Sequence, residues 1–151
     1  MIMPLFFSVA LATTPQTTPL PQKSVEALGV LLEDERRAEA LYAAVIAKHG
    51  DVRPFSNIIE AERRHQVALE CLFESHGLPV PANPWKSKQA QAPVTLAGAF
   101  EAGVQAEVEN VALYDRLMKT VTEPDLLEVF KRLRWASQER HLVAFRRHLG
   151  R

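Results

Sequence analysis

Cysteine is almost absent: Cys71 is the only one in 151 residues. That excludes a disulfide framework and any zinc or iron–sulfur site built from cysteines. In its helical, apolar context Cys71 reads as a small hydrophobe. Net charge is also lacking, with 18 Lys and Arg against 18 Asp and Glu. Nucleic acid and anionic membranes both demand a basic excess, so neither is an expected partner. Charges of both signs are interspersed, with no basic stripe carrying aromatics. The apolar stretch from Met1 to Ala12 is too short to cross a bilayer as a helix, so no stable membrane span is expected.

Proline is missing from the places where it would break a helix. Pro4, Pro15, Pro19 and Pro21 lie near the N-terminus, and Pro79, Pro81, Pro84 and Pro93 crowd one connection. Pro54 and Pro124 fall where a helix should begin, a position that tolerates the missing N–H. The first 22 residues form a separate segment, apolar and then rich in threonine and proline. It reads as the apolar region of a signal peptide with Ala10-Leu11-Ala12 as a small-x-small cleavage site, followed by a linker. A periplasmic or extracellular protein is the expectation from that segment. The alternative is a cytoplasmic protein with an apolar tail.

What remains, residues 23–151, carries four long segments with apolar residues at helical spacing. The spacing predicts helices over about 24–49, 54–76, 95–121 and 123–149. His49-Gly50 and His76-Gly77 mark two C-termini, where glycine takes the left-handed position and histidine suits the dipole. His49, His76 and His148 are therefore expected at helix ends, not at a site. Thr122 and Asp125 resemble a capping box for the fourth helix. Short first and third connections make two antiparallel hairpins. The long, proline-rich stretch from Gly77 to Val94 can cross the length of a bundle. The expected fold is an all-α four-helix bundle in which a long crossover joins two hairpins.

Polar residues interrupt each apolar stripe. Glu35 lies seven residues from both Leu28 and Tyr42, and Glu107 seven from both Phe100 and Tyr114. Glu62 and His65 fall between Ile58 and Leu69, and Gln138 and His141 fall between Phe130 and Phe145. Burying unpaired carboxylates costs many kcal/mol, and converging carboxylates also repel one another. Divalent cations resolve both problems, because residues i and i+3 share one side of a helix. The pattern occurs twice, each half having a glutamate, a tyrosine seven residues on, and a Glu/Gln-x-x-His on the next helix.

On these residues the chain resembles the ferritin-like di-iron carboxylate superfamily. Within it, the chain is similar to a small bacterial and archaeal ferritin-like family of unknown function. The matching stretches are Glu33–Tyr42, Phe55–His65 and His141–Phe145. The resemblance implies a ferritin-like bundle whose ligands are Glu35, Glu62, His65, Glu107 and His141. It implies Tyr42 and Tyr114 as hydrogen-bonding neighbours of those ligands. It further implies two divalent ions, iron foremost with manganese or zinc as alternatives. The implied chemistry is ferrous iron oxidation or the reduction of dioxygen or peroxide.

Two departures stand out. Gln138 occupies the place of a sixth ligand, a glutamate in a full site, and is a weaker donor. Glu139 cannot replace it, because one residue turns an α-helix by roughly 100°. Arg134, one turn earlier, either points inward to neutralise a glutamate or reaches out to solvent. Glu39, one turn after Glu35, is a further candidate donor. Arg63, Arg64, Arg132, Arg146 and Arg147 read as a solvated face, and Trp85 and Trp135 as packing residues. Two other function classes stay open, a helical binding or structural module with a vestigial polar core, and a bundle stabilised by one zinc ion. The expected partners are metal ions and dioxygen or peroxide, with a homodimer allowed.

Overall fold

The computed structural model describes residues 19–149. The expected signal peptide and most of the linker lie outside the described residues. Those residues form helices and turns without strands. Helix α1 spans Gln22–His49 and α2 spans Phe55–Ser75. A short 3-10 turn, Pro84–Lys86, sits in the crossover. Helix α3 spans Leu96–Leu117, α4 spans Pro124–Ala136, and α5 spans Leu142–Leu149. None is long and apolar enough to cross a membrane.

The fourth expected helix is not uniform. Residues Ser137–His141 form a π turn between α4 and α5, closed by the Leu142 N–H donating to the Ser137 carbonyl. The buried positions explain it. Leu133, Ser137, His141 and Phe145 are all inside, each four residues after the last. Steps of four overrun an α-helical turn of about 3.6 residues, so the stripe would drift off the core. A π turn is wider and absorbs the overrun.

The helix ends follow local chemistry. Thr95 caps α3 by accepting from the Gly98 N–H at 3.1 Å. Gly50 and Gly77 adopt positive φ after α1 and α2, as their positions predict. The expected capping box at Thr122 does not form. Asp125 is taken instead by His76, whose Nε2 lies 2.7 Å from its Oδ2 and ties the two hairpins together. His49 reaches the Pro93 carbonyl at 3.0 Å, and His148 the Ala144 carbonyl at 2.9 Å.

The apolar core comes in two layers. One centres on Leu28, Leu31, Leu32, Leu69, Leu126 and Phe130. The other centres on Tyr42, Val45, Phe55, Ile58, Phe100 and Phe145. Between them runs a polar layer. Hydrogen bonds across that layer pair Tyr42 with Glu107 and Tyr114 with Glu35, so α1 and α3 run antiparallel. The crossover follows α1. At one end the buried Arg36 donates to the Pro81 and Ala82 carbonyls, at 2.9 and 3.3 Å, and pairs with Glu70 at 2.8 Å. Trp85 is half-buried in the 3-10 turn that packs on α1, as expected.

Two packing expectations fail. Trp135 is 50 % exposed and lies beside the Arg140 guanidinium. Cys71 is exposed as well, on the outer side of α2. Both residues sit next to apolar stripes without belonging to them.

The contact between α3 and α5 is unusually close at Gly103. A Cβ there would lie 2.6 Å from a ring carbon of Phe145, which is itself fully buried. Gly103→Ala should therefore lower stability by about 1–3 kcal/mol. Thermal melting checks this, and an unchanged midpoint would show that the Phe145 ring has room to move.

Candidate metal centre

The polar layer contains Glu35 from α1, Glu62 and His65 from α2, Glu107 from α3, and His141 from the last residue of the π turn. None is more than 7 % exposed. They form two triads, Glu35–Glu62–His65 and Glu62–Glu107–His141. Within each triad the donor atoms all lie within 4.8 Å of one another. Glu62 belongs to both, so it is the one side chain placed to bridge.

The two halves mirror each other. His65 Nδ1 lies 3.0 Å from Glu35 and 3.3 Å from Glu62. His141 Nδ1 lies 3.0 Å from Glu62 and 3.5 Å from Glu107. The imidazole rings stack with centroids 5.4 Å apart. Tyr42 donates to Glu107 at 2.6 Å, and Tyr114 donates to Glu35 at 2.7 Å. Each tyrosine thus fixes a carboxylate from the opposite half of the chain.

One contact is informative because it is poor. His141 Nδ1 and Glu62 Oε1 approach to 3.0 Å, yet neither atom makes an aligned hydrogen bond. Two buried polar atoms that close would normally align, since an unmade bond costs about 1–3 kcal/mol. Both atoms belong to the Glu62–Glu107–His141 triad, where a cation bound after loss of the histidine proton would satisfy the two together.

Electrostatics shows how the layer is held together by protons. Burial pushes Glu62 well up, and the charge of Glu35 beside it adds to that. Burial acts upward on Glu35 too, but hydrogen bonds involving Glu62, His65 and Tyr114 outweigh it and hold Glu35 low. The two carboxyls therefore share one proton, carried by Glu62. Burial acts to lower both histidines. The carboxylates around them outweigh it, raising His65 to about 10 and His141 to about 9. Burial and nearby carboxylates push both tyrosines up, so they remain O–H donors.

Other candidates fall outside the triads. Gln138 is half-buried and makes no hydrogen bond to the five residues, because the π turn carries it off the inward face. Ser137 takes the inward position one π turn before His141. Its side chain is 1 % exposed and its hydroxyl has no partner. Arg134 points away and holds Asp115 on α3 through two hydrogen bonds, so it neutralises no glutamate in the layer. Glu39 is engaged by Arg63 and Gln66 at 2.8 Å each. The five arginines expected on a solvated face are exposed.

Asn110 is the participant that sequence reasoning missed. It is 4 % exposed, and its Nδ2 donates to Glu35 at 3.2 Å and to Asp34 at 2.9 Å. The available signal was its place three residues after Glu107, the spacing that sets His65 after Glu62.

Proton binding makes the metal-free fold pH-dependent. Each imidazole has a folded value above its ordinary 6.5, so its contribution is complete below 6.5 and is lost as pH rises through about 9 to 10. Glu62, also raised, acts in the same direction. The melting temperature of metal-free protein should fall as pH rises from neutrality towards 10. A rise across that range, followed by circular dichroism, would contradict the proton-held arrangement.

No family model matches the chain, and no curated protein matches it. Among solved structures it is similar to a hypothetical protein, MJ0754 from Methanococcus jannaschii DSM 2661. The two are 23 % identical with a TM-score of 0.77, over 91 % of this chain and 86 % of that one. The likeness is one of fold.

Proposed function

We propose that this chain is a metal-dependent redox protein of the ferritin-like type, with two divalent ions in the polar layer. The observation that carries the reading is the convergence of three carboxylates and two imidazole Nδ1 atoms on a dry interior, with Glu62 common to both triads. Glu35, Glu62 and His65 would hold one ion, and Glu62, Glu107 and His141 the other. Iron is the preferred metal, with manganese as an alternative, since carboxylate and imidazole donors suit both. The antiparallel α1 and α3, with a crossover along α1, support the ferritin-like topology. When bound, iron would supply one-electron chemistry with dioxygen or peroxide.

The protein's own residues set the conditions for that chemistry. Tyr42 and Tyr114 keep Glu107 and Glu35 oriented by donating one hydrogen bond to each. The apolar layers on either side exclude water, which strengthens every interaction inside. Binding must displace the protons that Glu62, His65 and His141 carry, so loading releases acid. Ser137 places a small, buried hydroxyl without a partner one turn before His141, so that helix adds no carboxylate to the second triad.

The lack of a carboxylate at that position favours a second reading, a single redox-inert ion such as zinc in a structural role. Anaerobic loading with ferrous iron, elemental analysis and admission of air separate the two. The redox reading expects about two irons per chain and rapid oxidation. One ion without oxidation supports the structural reading. Glu62→Ala removes the shared ligand, and should abolish loading while helical content persists. Loading that survives this change would sink the assignment of Glu62.

A further inference from the structure

The centre is buried, yet an ion must reach it. Among the described residues, the hydrogen bonds of Glu35, Glu62, His65, Glu107, His141 and the two tyrosines stay within that set, with a single exception. The exception is Asn110, which joins Glu35 to Asp34 through one amide nitrogen. Asp34 has a side chain 12 % exposed. It lies in a cleft of about 200 Å³ lined by Val30, Glu33, Asp34, Arg37 and Leu113, between α1 and α3.

The mouth of this cleft is built for cations. Glu33, exposed, and Asp34 both line it, and the exposed Glu109 lies next to its Arg37. One guanidinium, Arg37, covers Asp34 through Nε at 3.1 Å and Nη2 at 2.7 Å, and approaches Glu109 at 3.8 Å. Three carboxylates against one arginine leave a net negative mouth, which concentrates cations. Behind it, the Oδ1 of Asn110 is buried and has no partner. A carbonyl oxygen is a suitable donor for a hard divalent ion in passage.

We propose that divalent ions reach the centre through this cleft, displacing Arg37 from Asp34 and passing Asn110 to arrive at Glu35. The inference rests on the metal-binding reading above and adds the route by which the site fills. Arg37 competes with the incoming ion for Asp34, so the ion pair is a latch rather than a permanent bridge. Asn110 is the inner step, since its amide already contacts both the outer and the inner carboxylate.

Stopped-flow mixing of the full chain with Co²⁺ tests this, with the visible cobalt bands as the rate readout and equilibrium dialysis as the stoichiometry. Asp34→Asn should slow uptake by about tenfold, within the range of electrostatic steering, and leave the final cobalt content unchanged. Arg37→Gln should speed uptake several-fold, and decides the matter if Asp34→Asn proves misfolded by circular dichroism. Glu101→Gln, on an exposed part of α3 away from the cleft, controls for overall charge and should match the parent. Equal rates for the parent, Asp34→Asn and Arg37→Gln, with normal cobalt content, would overturn the route and leave the centre standing. Absence of cobalt from the parent protein would overturn both.

Discussion

Three carboxylates in a dry core repel one another, and this structure is arranged around what offsets that repulsion. Without metal the offset is protonic. Two imidazolium rings and one proton on Glu62 bring the layer close to electrical balance. The arrangement explains why both histidines present Nδ1 inward and why Glu62 lies at the centre of the set. It also explains the two tyrosines. A buried carboxylate needs donors that cannot lose their proton, and a phenol whose pKa is pushed up by burial is such a donor.

The rest of the bundle serves that layer. Apolar residues are divided above and below it, so each helix must carry a polar break at the same height. Helix α1 supplies Glu35 between Leu28 and Tyr42, and α2 supplies Glu62 and His65 between Ile58 and Leu69. The close seam at Gly103 lets Phe145 sit beneath Tyr42 and Phe55, which fixes α5 and with it the end of the π turn that bears His141. Fold stability and site geometry are therefore coupled through the same few contacts.

Much of this was legible in the sequence because burial leaves a periodic trace. The interruptions of the apolar stripes marked Glu35, Glu62, His65, Glu107 and His141, and the structure brings all five together. Prolines and glycines marked the helix boundaries within a few residues. What fixed spacing could not show is a change of helical pitch. Reading the fourth helix as uniform matched Gln138 to Glu62, whereas the widened turn makes Ser137 the inward residue. Side-chain pairings were equally hidden. Arg134 finding Asp115, His76 taking Asp125 from Thr122, and Asn110 reaching Asp34 depend on neighbours far apart in the chain. Trp135 and Cys71 were misread because adjacency to a stripe is not membership of it.

The fastening of the crossover carries a consequence of a different kind. Arg36 grips the carbonyl oxygens of Pro81 and Ala82, which every amino acid possesses, and Lys86 to Gln89 are exposed. The connection is thus anchored by its backbone and by Trp85, not by the identity of most of its side chains. Its outer positions form a stretch where substitutions or a grafted peptide would be tolerated without disturbing the interior. In such a bundle the surface can diversify along the crossover while the chemistry between the helices stays fixed.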